Sequence, residues 1–358
     1  MKKLLTILIA VCMLTVFVAA CDKSGSDEPT IGISLPTMNL QRWIQDGDNM
    51  KEQFEAAGFK VDLQYGGDND VQAQISQIKK MISENVDVLV ICAIDGGSLT
   101  EVLADAKAKN IPVIAYDRLI MNTDAVTYYA TFDNMDVGRL QGTFLENELN
   151  LKSGGGPYNI EFFAGCPQDN NAGFFFDGTM EVLRPYLDSG VLECLSGQTD
   201  IAQAATVEWE AENAQKRMEE LISTYGYSPA GTPLHAVMCS NDSTAQGVAQ
   251  ALLAAGFDSS NFPLITGQDC DIVSIKNMLA GHQAMSVFKD TRTLAATVIE
   301  MVKAIVNETT VTVNDTTSFN NGVRIVPTFV NNPILVTINN WRALLIGSGY
   351  YTEDQITG

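Results

Sequence analysis

Histidine and positive charge are scarce in this chain. Its 358 residues include two histidines, His235 and His282, and 22 lysines and arginines against 43 aspartates and glutamates, a formal net charge of −21. So few histidines exclude a histidine-rich metal site and argue against a Ser–His or Cys–His catalytic pair. The shortage of cations removes the basic face that a nucleic-acid partner requires, and equally a basic membrane-surface patch. No Cys-x-x-Cys occurs, so zinc ribbons and thioredoxin-like motifs are absent. No Gly-x-Gly-x-x-Gly follows the first predicted strand, so a dinucleotide site lacks its phosphate loop. Asp46-Gly-Asp48 and Asp68-Asn-Asp70 offer oxygen ligands without the spacing of a calcium loop. Neither a bound metal nor a cofactor is expected.

One long apolar run stands at the start. Lys2 and Lys3 precede Leu4–Ala20, which ends in Val18-Ala19-Ala20-Cys21. A short basic region, an apolar stretch and small residues before a cleavage point read as a secretory signal peptide over residues 1–20. Cysteine at that point resembles a bacterial lipobox, which implies that Cys21 is lipidated and becomes the new N-terminus. The alternative is an uncleaved transmembrane anchor, for which the run is slightly short. Either way the rest of the chain lies outside the cytoplasm, lipid-anchored at the cell membrane on the first reading. Residues 21–29 then form the lipidated cysteine and a polar, flexible tether. Beyond them come Cys92, Cys166, Cys194, Cys239 and Cys270. Their odd number leaves at least one thiol without a partner in the chain. Cys92, Cys194 and Cys239 stand in or beside apolar runs and read as buried small hydrophobes.

Apolar residues make up 46% of the chain and charged residues 18%, a composition that folds rather than one that stays disordered. From Thr30 onward, short β-branched runs alternate with helical patterns. Candidate strands are 31–35, 60–65, 86–92, 111–116, 127–132, 158–164, 191–195, 234–239, 262–266 and 283–288. Val71, Ile75, Ile78 and Ile82 share one helical face, as do Leu294, Val298, Met301, Val302 and Ile305. Strands that are apolar nearly throughout, such as Val86–Cys92, suit parallel sheets covered on both faces by helices. Repeated βα units of this kind predict an α/β protein. Ten strands are many for one compact sheet, so two lobes are expected, with a break near 134–137.

In open parallel sheets, ligands bind at the carboxyl ends of the strands. The residues that follow the strands are Gln41-Arg42-Trp43, Asp95, Asp117-Arg118, Asp133-Asn134, Gln168-Asp169-Asn170-Asn171, Asn241-Asp242, Gln268-Asp269 and Lys289-Asp290. Taken singly, an Asp or Asn here is often a turn residue or a helix N-cap. Their recurrence at exit after exit favours a site. Sugars suit such a set: carboxylates and amides accept from neighbouring hydroxyls, while Arg and Lys donate to others. The apolar C–H face of a pyranose needs an aromatic ring beneath it, which Trp43, Phe174–Phe176 or Trp209 could supply.

Several motifs are specific in combination: Arg-Trp at 42–43, Ala-Tyr-Asp-Arg at 115–118, Pro-x-Asp-Asn-Asn at 167–171, Ser-Asn-Asp at 240–242, Gly-Gln-Asp at 267–269, Phe-Lys-Asp-Thr-Arg at 288–292 and Gly-Tyr-Tyr at 349–351. On these residues the chain resembles the periplasmic sugar-binding proteins of bacterial ABC transporters, type I fold, in their multiple-monosaccharide and D-xylose-binding branch. The resemblance runs from about Ile31 to the C-terminus. It implies two lobes, each a parallel-sheet βα sandwich, joined by three crossover hinge segments near 134, 289 and 328. The lobes would be 30–134 with 290–328, and 135–289 with 329–358. It implies that Arg42, Asp117, Arg118, Asp169, Asn170, Asn241, Asp242, Asp269 and Lys289 bind sugar hydroxyls, and that Trp43 and Trp209 stack on the ring. The function implied is capture of an aldose such as xylose, glucose, galactose or arabinose between closing lobes, for delivery by a monomer to an ABC permease. A sugar-sensing role toward a chemoreceptor or sensor kinase is the alternative. A glycoside-processing enzyme pairing Asp117 with Asp269 is a third reading. Carboxylates beside Arg118 and Lys289 should stay ionised, which suits hydroxyl binding better than acid catalysis.

Overall fold

The structure, a computed structural model, describes residues 28–358. The expected signal segment and Cys21 lie outside the described residues. In chain order the elements are β1 (Thr30–Leu35), α1 (Gln41–Ala56), β2 (Lys60–Tyr65), α2 (Val71–Ser83), β3 (Val88–Ile91), α3 (Thr100–Ala108), β4 (Val113–Tyr116), β5 (Val126–Phe132) and α4 (Asn134–Glu148). Then come β6 (Tyr158–Phe163), α5 (Asn170–Asp188), β7 (Leu192–Glu193), α6 (Ile201–Ala204), α7 (Ala211–Tyr225), β8 (Ala236–Cys239), α8 (Asp242–Ala254), β9 (Leu264–Ile265) and α9 (Ile272–Ala280). The chain closes with β10 (Met285–Phe288), α10 (Thr291–Val306), β11 (Thr328–Asn331), β12 (Ile334–Thr337) and α11 (Glu353–Thr357).

The α/β architecture expected from the alternating pattern is what the chain adopts. One sheet has the order β11-β5-β4-β3-β1-β2, with every pairing parallel. A second has the order β7-β6-β8-β9, again parallel. The antiparallel pair β10–β12 lies beside β9, joined through Ala284 N to Ile265 O and Val287 N to Gly267 O. Helices cover both faces of each sheet, which is why the strands are apolar on both sides. On the first sheet, Ile31, Ile33, Val88, Val90 and Ile114 pack under Trp43, Met50 and Phe54 of α1 and Leu294, Val298 and Val302 of α10. Its other face buries Leu89, Ile91 and Val113 against α2 and α3. On the second sheet, Ile160, Phe162 and Met238 meet α4 and α5. Phe163, Val237 and Cys239 meet α7 and α8. Cys92, Cys166, Cys194, Cys239 and Cys270 are all free thiols, and Cys194 is half-buried whereas the other four are buried.

Two strands escaped the sequence pattern, β11 and β12. The chain passes from the first sheet to the second after Phe132, and from β10 to α10, which packs on the first sheet, after Phe288. The third crossing was expected near 328 and lies further on, because Thr328–Asn331 pair with Tyr129–Phe132 of the first sheet before β12 joins β10. Helices α4 and α5 touch backbone to backbone. A Cβ on Gly138 would stand 2.1 Å from the Phe175 carbonyl oxygen, and one on Gly178 would stand 2.2 Å from that of Met135. Only glycine permits this approach. It fixes the position of α5, whose first turn reaches the site.

Candidate functional site

Strand exits from both sheets converge on one cavity. From the first sheet come Arg42 and Trp43 in the opening turn of α1, and Asp117 and Arg118 after β4. From the second come Asp169, Trp209, Asn241, Asp269 and Lys289. Each side chain is set by local structure. Asp117 sits at φ 59°, where a non-glycine residue is strained. Its carbonyl is pinned by the Tyr129 hydroxyl at 2.7 Å, the Thr131 hydroxyl at 3.0 Å and Asn171 Nδ2 at 2.8 Å. Asp169 caps α5 by accepting from Asn171 N, which leaves Oδ2 facing Arg118 Nε at 2.8 Å. Asn241 caps α8 through Oδ1, bonded by Thr244 N and Oγ1. Its amide nitrogen is left for other partners. Trp209 follows Glu208 in two successive left-handed residues, φ 57° and 61°. It lies edge-on to Phe175 with ring centroids 6.1 Å apart.

Arg42 joins the two halves. Nε bonds Asp46 at 2.5 Å, Nη2 bonds Asp117 at 2.6 Å and Nη1 reaches Asp269 of the other half at 3.1 Å. Lys289 Nζ meets the same Asp269 oxygen at 3.0 Å. The guanidinium carbons of Arg42 and Arg118 lie 5.1 and 5.0 Å from the Trp43 ring centroid. The indole nitrogens of Trp43 and Trp209 are buried donors without protein partners, and Gln268 Oε1 is a buried acceptor without one. The cavity thus has aromatic walls, fixed charges and unengaged donors and acceptors, the make-up of a small polar-ligand site.

Burial opposes ionisation of Asp117, but Arg42, Lys289 and Arg118 outweigh it and hold the carboxyl at about 2. Asp169 is pushed up by burial, against the pull of Arg118. Asp46 is also bonded by the Tyr116 hydroxyl, yet burial pushes it up to about 6. Asp46 therefore holds a proton more tightly folded than unfolded, where the ordinary value is about 4. Its contribution to stability is full below about pH 4 and is lost as pH rises through 6. Asp271, pushed up to about 7 by burial and Asp269, acts in the same direction. Asp117 acts oppositely and is lost only as pH falls from about 4 toward 2. In urea titrations the ligand-free protein is expected to lose stability from about pH 4.5 to 7, with a shallower slope in Asp46→Asn. A flat wild-type profile over that range would contradict the assignment.

Of the residues to which the resemblance assigned sugar contacts, Asn170 and Asp242 stand apart from the cavity lining. Asn170 opens α5 and is half-buried, and its neighbour Asn171 lines the cavity in its place. Asp242 is buried behind the site. Its carboxylate accepts from Gln283 Nε2, Ser286 Oγ and Asp271 N, so it braces the loop that carries Asp269. Phe175, Gln268 and Asn171 belonged to the aromatic and strand-exit sets. Leu40, Ser243 and Asp271 also line the cavity, and no local pattern marked them. Among the described residues, no cluster of His, Cys, Asp and Glu is arranged to hold a metal ion. No described helix is long and apolar enough to cross a membrane.

Residues 31–310 match the family described as periplasmic binding protein domain. The multiple sugar-binding periplasmic protein SbpA of Azospirillum brasilense is 46% identical over 349 residues, covering 97% of this chain and 96% of that protein. The D-xylose-binding periplasmic protein of Escherichia coli strain K12 is 36% identical, covering 99% of this chain and 100% of its own. An ABC transporter solute-binding protein from Clostridium phytofermentans, solved with β-D-glucose bound, is 54% identical with a TM-score of 0.88, over 92% of this chain and 100% of that one.

Proposed function

The chain belongs to the periplasmic binding protein family, and on that premise we propose that it is an extracytoplasmic receptor that captures a monosaccharide and presents it to an ABC permease. The ligand class is a neutral aldose of the glucose or xylose type. The observation that carries this reading is the cavity itself. Trp43 and Trp209 offer two ring faces, and Arg42, Asp117, Arg118, Asp169, Asn241, Asp269 and Lys289 offer converging donors and acceptors from both sheets. Hydroxyls, each both donor and acceptor, match that mixture better than any singly charged ligand. A ligand touching both halves stabilises their approach, and hinge motion at the three crossings near 133, 289 and 332 would open them. The lobes are then 30–132 with 291–331, and 134–289 with 334–358.

Catalysis is not part of this reading. Asp117 and Asp269 share the Arg42 guanidinium, and Asp117 is held ionised, so Asp117 is not suited to donate a proton to a leaving group. We further propose that Cys21 bears the lipid that tethers the receptor beside its permease.

The test is a thermal-shift and tryptophan-fluorescence screen of residues 22–358. The panel holds xylose, glucose, galactose, arabinose, fucose and ribose, with a disaccharide and an amino acid as controls. A ligand that binds only the native state raises Tm. A shift with one or more aldoses, lost in Asp269→Ala, is expected. No response to any aldose would sink the monosaccharide assignment and leave the family in place.

A further inference from the structure

Asp271 immediately precedes α9, where an aspartate ordinarily caps the helix. Its side chain makes no such bond. It lines the cavity instead, 7% exposed. Oδ1 has no hydrogen-bond partner, and Oδ2 has only Gln246 Nε2 at 3.5 Å. The turn that directs it there is held against its own preference. Asp269 and Cys270 are consecutive left-handed residues at φ 96° and 56°. Three successive amides anchor them: Asp269 N to Val287 O at 2.8 Å, Cys270 N to Ser286 Oγ at 3.1 Å and Asp271 N to Asp242 Oδ2 at 2.8 Å. Strain of this kind persists where the surroundings over-determine it, commonly at ligand clamps.

The nearest cations are already engaged, since Arg42 and Lys289 both bond Asp269. Asp271 is left as a buried carboxyl with an idle oxygen, which costs folding free energy and asks for an explanation outside the fold. Burial and Asp269 push it up to about 7, as expected of a carboxyl without a compensating donor.

We propose that Asp271 is a ligand-binding residue whose Oδ1 accepts one hydroxyl of the bound sugar, so that the site selects for a hydroxyl at a single ring position. This rests on the monosaccharide reading above. A carboxylate left unpaired by a deoxy analogue rejects that analogue far more strongly than a lost apolar contact would.

The experiment compares wild type and Asp271→Ala of the 22–358 protein. It measures ligand-free Tm, and Kd for D-glucose, D-xylose and the monodeoxy derivatives of D-glucose. A ligand role predicts a ligand-free Tm that is unchanged or raised, because an idle buried carboxyl has been removed. It also predicts a Kd for glucose about 10- to 100-fold weaker. One deoxy derivative is expected to bind both proteins equally, naming the ring position. Asp271→Asn, which keeps an acceptor oxygen, recovers part of the affinity. A lowered ligand-free Tm with Kd for glucose within twofold of wild type overturns the proposal, as does an equal loss across every deoxy sugar. Wild type that binds no aldose overturns the monosaccharide reading and this proposal together. Wild-type binding with an indifferent variant overturns only the role of Asp271.

Discussion

Arg42→Ala is expected to abolish sugar binding and to cost the fold about 3–5 kcal/mol, the range for removing one partner of a buried ion pair. The guanidinium serves Asp46, Asp117 and Asp269 at once, and its side chain is 5% exposed. Without it, Asp117 and Asp46 face each other with Lys289 and Arg118 as the remaining nearby cations. Asp117 then no longer sits at about 2, and the acid limb of the stability profile moves upward in pH. Arg42→Lys keeps the charge and loses the fork that reaches three carboxylates. It should recover part of the stability and little of the affinity. Urea midpoints at pH 7 and ligand-induced Tm shifts read the two effects separately. A variant that folds at wild-type stability would show that Arg42 is not the hub its geometry describes.

Gly165→Ala is the second large expected effect, and it falls on binding more than on folding. A Cβ at 165 would stand 1.9 Å from Cη2 of Trp209, 2.2 Å from Cζ2 and 2.6 Å from Cζ3. The ring cannot remain. Nor can it slide along its own plane, since Phe175 abuts it and the backbone at 208–209 is already left-handed. Overpacking of this kind costs about 1–3 kcal/mol. The ring face offered to a sugar moves with the indole. A loss of roughly 100-fold in sugar affinity, about 2.7 kcal/mol, is expected. Calorimetric Kd for glucose and a change in tryptophan fluorescence check it. Wild-type affinity in this variant would mean that Trp209 is a core anchor and not a wall of the site.

Most of the frame was legible because parallel strands covered on both faces are apolar nearly throughout, as in β3, where all four residues are buried. The strand-exit rule locates Arg42, Trp43, Asp117, Arg118, Asp169, Asn241, Asp269 and Lys289, all of which line the cavity. It failed where register within a helix turn decides. Asn170 and Asn171 are equivalent in sequence, and only the cap at Asp169 determines which of them turns inward. Asp242 has the composition of a ligand and the environment of a brace, a distinction made by Gln283 and Ser286 some forty residues away. Asp271 was invisible because its local pattern is that of an ordinary N-cap. Strands β11 and β12 are four residues each, flanked by Pro327 and Pro333, and their pairing partners lie about 200 and 50 residues earlier. No local periodicity carries information across such distances.

The first sheet is completed by the last third of the chain. Its edge strand beside β5 is residues 328–331, and Leu294, Val298 and Val302 of α10 cover the face formed by Ile31, Ile33 and Val90. A polypeptide emerging from the ribosome therefore leaves the part of this face under α10 uncovered until some three hundred residues have been made, although α1 can cover its own share earlier. Loop closure over that span must precede the contacts that reward it. The first sheet therefore gains its full native cover only late in synthesis. A protein bound for the far side of a membrane must thread a narrow channel as an extended strand. A sheet that closes only with the last third of the chain is compatible with that passage.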